Sequence, residues 1–338
     1  MSFELAPDTL ATLAAAAASP SRRVALRVHP GAAPSELGRR LAEVAHEVER
    51  RTGGLVPVRF GSAADGGLTP ALAVLVGPRV AVRYLAVPEG PEEGPFVELL
   101  VALAGSSAAP SGVATGGPPA ELEVFISSGC PNCPTAVRAA LTLAAARPGL
   151  SVAVIDVAEF PERAGGIGVR SVPMIVASGG LTVVGAVSAV ELAARLAESR
   201  GPAGAGVVLE SYLEAGRFAA AGELLAAGRG HEAFLERWGA GGLERRMGLV
   251  LAADEALQRD PGALDALVPG LLPLLGPGDV ARRGDTADLL GRIGHPAARP
   301  ALEAMRAEAD EDIAEAAAEA LLGLEARQRS DTSTERSE

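Results

Sequence analysis

Apolar residues in the middle of the chain alternate between strand and helix spacing. LEVFIS (122–127) is a β-rich run, and the segment from Pro134 to Ala146 then puts Val137, Leu141 and Leu143 on a helical face. LSVAVIDV (150–157) reads as a second strand, followed by AEFPERAGGIG as a short helical or loop stretch. VPMIVAS (172–178) and LTVVGA (181–186) read as a hairpin around Gly179 and Gly180. SAVELAARLAES (188–199) closes the segment as a helix, with Ser188 as N-cap and Glu191, three residues on, as its capping-box partner.

The first hundred residues run in a similar order. APDTLATLAAAAAS is a helix, RRVALRVH (22–29) a strand, and PSELGRRLAEVAHEVERRT (34–52) a long amphipathic helix. LVPVRFG is a strand, TPALAVLVG and PRVAVRYLAV form a hairpin, and GPFVELLVALAG is a closing helix. Thr69-Pro70 leads into this hairpin as Val172-Pro173 leads into the later one. The order βαβ then ββα is that of a thioredoxin fold. The expected class is therefore two α/β thioredoxin-like folds in tandem, the first without cysteines and the second with Cys130-Pro131-Asn132-Cys133.

Past residue 206 strand signals stop. Helices are expected near 207–215, 217–227, 241–259, 263–275, 279–293, 297–308 and 312–326. VPGLLPLLGPGDVARRGDTADLLGRIG (268–294) is echoed by RPALEAMRAEADEDIAEAAAEALLGLE (299–325), with Leu271 matching Leu302 and the LLG at 289–291 matching that at 321–323. A fixed period of this kind marks stacked helix pairs, because one pair cannot bury its apolar face alone. The pattern resembles HEAT-type repeats. SSAAPSGVATGGPP (106–119) has linker composition, and SRGPAGAG (199–206) is a shorter break. The expected layout is an inactive thioredoxin-like unit at 1–105, a flexible linker at 106–119 and an active unit at 120–200. HEAT-like repeats follow at 207–326, then a disordered tail at 327–338.

Composition fits a globular protein, with 48% hydrophobic and 21% charged residues. Aromatic residues make up 3%, so the cores are built from Ala, Leu and Val. The net charge of -12, with no basic cluster, argues against nucleic acid as a partner. No stretch approaches the ~20 apolar residues of a membrane span. The alanine run near the start carries Glu4 and Asp8 where a signal peptide has basic residues. A cytoplasmic protein is the simplest expectation.

Cys130 and Cys133 are the only cysteines. A redox cysteine needs something that stabilises its thiolate, and the turn from strand into helix offers free N–H groups and the positive end of the helix dipole. Cys130 is expected there, with Cys133 one turn further in and less exposed. Cys130 would attack a substrate disulfide and Cys133 would resolve the mixed disulfide. Two other readings stay open at this point. Half a zinc site would need ligands from elsewhere, and His29, His46, His231 and His295 lie in other segments. Two inert core cysteines are the other. Val172-Pro173 begins the third strand, where this fold places a cis-proline whose preceding residue can bond an extended peptide; an ordinary trans proline at a strand start is the alternative. The acid pair Glu92-Glu93 reads as flanking a helix, and Trp238 as core or interface packing.

The stretch ISSGCPNCPTAV, a strand ending in AVIDV and then GVRSVPMIV resemble the N-terminal domain of the alkyl hydroperoxide reductase flavoprotein subunit. They are also similar to the two-fold glutaredoxin-like protein disulfide oxidoreductases. The resemblance covers residues 1 to about 200. It implies Cys130 as attacking thiol, Cys133 as resolving thiol, Pro173 as cis-proline and Val172 as its substrate-binding neighbour. Two departures stand out. No G-x-G-x-x-G fingerprint appears, so no cofactor and no built-in electron source are expected. Val124 stands six positions before Cys130, where thioredoxins keep a buried acid.

The expected function is a thiol-disulfide oxidoreductase working in cell redox homeostasis, with the helical repeats docking a protein partner or closing a homodimer. The partner would be a disulfide substrate or a reductase; a peroxiredoxin follows from the resemblance alone. The rival is a redox-responsive adaptor whose dithiol switches partner binding without turnover.

Overall fold

The computed structural model describes residues 7–18, 23–61, 67–105, 120–240 and 242–334. The chain divides into two compact units, Met1–Glu198 and Ser199–Glu338. The first holds, in order, α1 (Pro7–Ala17), β1 (Val24–His29), α2 (Glu36–Arg51), β2 (Val58–Phe60), β3 (Ala71–Val76), β4 (Arg79–Leu85) and α3 (Glu93–Ala104). There follow β5 (Ala120–Ile126), α4 (Cys133–Ala146), β6 (Leu150–Asp156), α5 (Pro161–Ile167), β7 (Met174–Ala177), β8 (Thr182–Val184) and α6 (Ala189–Glu198).

All eight strands form one sheet in the order β2-β1-β3-β4-β6-β5-β7-β8. Each half contributes the same four-strand pattern. β1 pairs parallel with β2 and antiparallel with β3, and β5 does the same with β6 and β7. The halves join through a parallel pairing of β4 with β6, in which Tyr84 faces Val154. The segments 1–105 and 120–200, expected as separate units, therefore share one sheet and one compact body. The physical reason is the edge of β4: its backbone groups need a partner, and β6 supplies it. The expected linker at 106–119 lies outside the described residues.

The strands carry the apolar runs that the spacing indicated. Ala71 to Leu75 on β3 are all buried, and β5 alternates until its last three residues, which are buried together. α1, α3, α4 and α6 pack against one another in sequence, and α2 lays Leu37, Leu41, Val44 and Val48 into the core against β1 and β3. The Ser188 cap is present: its hydroxyl accepts from the Glu191 N–H at 3.1 Å.

The second unit is all helical among its described residues. It comprises α7 (Gly204–Glu214), α8 (Phe218–Ala226), α9 (His231–Ala240), α10 (Leu243–Arg259), α11 (Val268–Leu271), α12 (Val280–Ile293), α13 (Arg299–Arg306) and α14 (Glu311–Thr334). Three details differ from expectation. α9 fills a stretch outside the expected helices, where Phe234 and Trp238, one turn apart, stack with ring centroids 5.7 Å apart. The helix expected at 263–275 is instead α11 between two 3-10 turns, because Pro269 and Pro273 cannot supply the N–H groups of a continuous helix. The expected tail at 327–338 is helical as far as Thr334, since nothing after Gly323 breaks α14. The repeated LLG motif has a structural cause. Gly291 on α12 lies so close to α14 that an added Cβ would fall 2.7 Å from the Ala320 carbonyl oxygen. No helix among the described residues is long and apolar enough to cross a membrane.

Candidate active site

β5 ends at Ile126 at the edge of the protein core, and the chain must turn before α4 can pack back against β4, β5 and β6. Gly129 makes that turn at φ +84°, a left-handed conformation that favours glycine. The Cys130 N–H donates to the Ser127 carbonyl at 3.2 Å and closes the loop. Cys133 is the first residue of α4, where the backbone N–H groups lack helical acceptors, and Pro134 next to it needs none. Both cysteines are free thiols, Cys130 partly accessible and Cys133 1% exposed.

The residues singled out from sequence come together. The Val172-Pro173 peptide is cis and leads into β7, and the Cys130 Sγ approaches the Val172 carbonyl oxygen at 3.9 Å. Thr69-Pro70 is cis as well, at the matching place before β3. No group of three or more His, Cys, Asp or Glu side chains that could hold a metal ion occurs among the described residues.

One residue near the dithiol was read from the sequence only as a helix-flanking acid. Glu92 closes a single 3-10 turn, Gly90–Glu92, that packs against α4, and it is only 8% exposed. Burial raises its carboxyl from 4.5 to about 7, with the Arg138 charge on α4 pulling the other way. Arg138 itself is held by Glu98 on α3 through two hydrogen bonds of 2.7 and 3.2 Å. The Cys133 thiol is pushed well up, first by burial, then by the adjoining Cys130 sulfur and by the Glu92 charge, against a backbone hydrogen bond at Ser127. A carboxyl that titrates near neutrality thus lies within electrostatic reach of the buried thiol. Asp156, the other buried acid of this unit among the described residues, accepts from the Ala158 N–H at 2.8 Å and serves the local turn.

Nothing in the sequence separates Glu92 from Glu93. The indirect signal was Val124, fully buried on β5 and without a carboxyl. Strand register puts Val124 beside Val154, and Val154 beside Tyr84, so these side chains share one face of the sheet. Glu92 follows β4 by seven residues and is brought to the dithiol by the pairing of the two halves.

Fold and site define a thioredoxin domain carrying a Cys-x-x-Cys pair, and residues 120–198 match the family model of the thioredoxin domain. No curated protein matches the chain significantly. Among solved structures the chain is similar to the N-terminal domain of the alkylhydroperoxide reductase AhpF from Enterococcus faecalis, at 18% identity over 57% of this chain and 100% of that one, with a TM-score of 0.47. It is also similar to a protein disulfide oxidoreductase from Aeropyrum pernix, at 23% identity over 59% of this chain and 96% of that one, with a TM-score of 0.44. The fold assignment rests on the strand order and on the family match.

Proposed function

We propose that the protein is a protein-disulfide oxidoreductase in which Cys130 is the attacking thiol, Cys133 the resolving thiol and Glu92 the proton acceptor. The observation that carries this reading is an accessible Cys130 and a buried Cys133 at the start of α4, with a buried carboxyl on the turn that packs against the same helix. A thiol held above its usual pKa is a poor nucleophile until a base removes its proton, and a carboxyl titrating near 7 exchanges protons readily at neutral pH.

The Cys130 thiolate attacks one sulfur of the partner's disulfide and forms a mixed disulfide, and the other partner sulfur leaves and takes up a proton. Cys133 then gives its proton to the Glu92 carboxylate and attacks the Cys130 Sγ. The Cys130–Cys133 disulfide forms, and the second partner sulfur departs as a thiol. The partner gains two electrons and two protons, and the dithiol loses both; run backwards, the same steps oxidise a partner dithiol. Val172 borders the attacking sulfur and is the proposed contact for the partner's extended backbone, with Pro173 shaping that edge.

The helical unit is proposed as a HEAT-like partner-docking or dimer-forming module, and a peroxiredoxin is one partner class the resemblance suggests. Supporting this, α10 exposes Leu243, Met247 and Leu251 at four-residue spacing. Beside Met247 and Leu251 runs a groove of about 520 Å³ with Leu213 and Phe218 in its lining. The same surface favours the second reading, an adaptor that binds or releases a partner according to the state of the dithiol.

The deciding experiment equilibrates the protein in glutathione and dithiothreitol buffers, traps the thiols and follows turnover on a disulfide substrate. The oxidoreductase gives a reversible two-electron couple and multiple turnovers. Cys133→Ser should accumulate a mixed disulfide on Cys130, and Cys130→Ser should lose all turnover. Absence of an intramolecular disulfide across the buffer range would refute both readings; a reversible couple with redox-dependent affinity and negligible turnover would establish the adaptor.

A further inference from the structure

The sheet unit contains two buried polar atoms with complementary chemistry. The Tyr84 hydroxyl and the Glu92 Oε2 both lack a hydrogen-bond partner among the described residues. Tyr84 is 0% exposed, and its ring meets Phe96 of α3 edge-on with centroids 5.3 Å apart, so packing fixes the phenol. Tyr84 lies at the end of β4, and the connection from β4 to the turn that carries Glu92 is four residues long. Glu92 is near enough for its charge to act, after burial, in holding the hydroxyl well above its ordinary pKa, which keeps that hydroxyl a proton donor. A buried hydroxyl and a buried carboxylate oxygen each left without a partner are costly, and most buried polar groups in folded proteins are paired.

The two atoms make no direct hydrogen bond with each other, and we infer that the Tyr84 hydroxyl donates to the Glu92 carboxylate through one bridging water and is the positioning residue that aims this carboxylate at Cys133. The inference rests on the reading of Glu92 as proton acceptor. The groups facing Glu92 divide the work. Tyr84 on β4 supplies a neutral donor, while Arg138 on α4 supplies a charge that Glu98 on α3 holds through its own ion pair. Cys133 on α4 supplies the proton to be moved. A hydrogen bond to the ionised carboxylate favours that form. Tyr84 therefore keeps enough Glu92 ionised at neutral pH to take the thiol proton, against a burial that works in the opposite direction.

The test is Tyr84→Phe, which removes only the hydroxyl and preserves the ring and its packing on Phe96. Two quantities are followed against pH: the Glu92 carboxyl titration by carbon NMR, and the rate of the second thionitrobenzoate release when the reduced protein meets dithiobis(nitrobenzoate). That second release reports attack by Cys133 on the Cys130 mixed disulfide. The expected result is an upward shift of both midpoints by about one pH unit, the size of one hydrogen bond to a charged group. An unmoved carboxyl titration in Tyr84→Phe overturns the inference. Glu92→Gln separates the underlying reading. If it leaves the pH dependence of the second release intact while Tyr84→Phe still shifts the carboxyl, the hydrogen bond stands and the role of Glu92 as proton acceptor falls. Stability gives a further check, because Tyr84→Phe destabilises the protein if the hydroxyl is bonded and stabilises it if the hydroxyl is buried without a partner.

Discussion

Glu92→Gln should make the sheet unit more stable, and only at higher pH. The Glu92 carboxyl sits at about 7 in the fold against 4.5 in an unfolded chain, burial being the main cause. Below about pH 4 the group is protonated in both states and costs nothing. Between about 4.5 and about 7 the unfolded chain releases this proton first, so stability falls as pH rises; above about 7 the loss is complete. The difference of roughly 2.5 pKa units is worth about 3 kcal/mol at about 1.4 kcal/mol per unit, and partial water access reduces it to the order of 2 kcal/mol. Glutamine resembles the protonated carboxyl and does not titrate. The variant should therefore match the parent near pH 4 and exceed it by about 2 kcal/mol near pH 8. Denaturant unfolding followed by circular dichroism reads both units. Fluorescence of the single tryptophan, Trp238, reads the helical unit alone, so the difference isolates the sheet unit. A gain of the same size at both pH values, or none near pH 8, would show that Glu92 is not the buried carboxyl described.

Gly291→Ala should lower the stability of the helical unit by about 2–3 kcal/mol, because the new Cβ would meet the backbone of α14 and the helices must move apart; unchanged Trp238 unfolding would refute the close crossing. Thr286→Val removes the acceptor of the Trp238 indole N–H, now bonded at 2.9 Å, and leaves a buried donor unpaired. It should cost about 1–2 kcal/mol by the same fluorescence readout, and an unaltered midpoint would mean that this bond contributes nothing.

Much of the dithiol region was legible because its chemistry is local. A strand run, a Cys-x-x-Cys pair and an apolar helix follow one another within 25 residues, so periodicity and spacing alone put Cys130 and Cys133 at a strand-to-helix turn. Ser188 and Glu191 were equally readable, since a helix cap depends on four consecutive residues. Glu92 was not, because its burial depends on a pairing between β4 and β6, strands that begin 71 residues apart, and no window of sequence contains both. α9 was missed for a different reason. Gly228 and Gly230 precede it in left-handed turns and Gly239 and Gly242 surround its end, so breaker residues hid the one-turn spacing of Phe234 and Trp238. The prolines at 269 and 273 did the reverse in α11, where apolar spacing persisted and continuous helical hydrogen bonding did not.

The proposed role of Glu92 gives the cysteine-free half of the sheet a part in the chemistry. A buried acid on β5 at Val124 would stand in the middle of a sheet, with the apolar Val154 and Ile175 flanking it in register. On the proposed reading the carboxyl comes instead from the turn after β4, within range of an arginine whose own charge is held by Glu98. The carboxyl can then be tuned by groups of the first half without disturbing the strands under the dithiol. That reading requires β4 to be fixed against β6, and the edge-to-edge joining of the two halves meets this requirement. On the proposed reading, loss of that pairing would leave Cys130 and Cys133 in place and remove the proposed base, so the first half would act on the chemistry through Tyr84 and Glu92 although the cysteines lie in the second half.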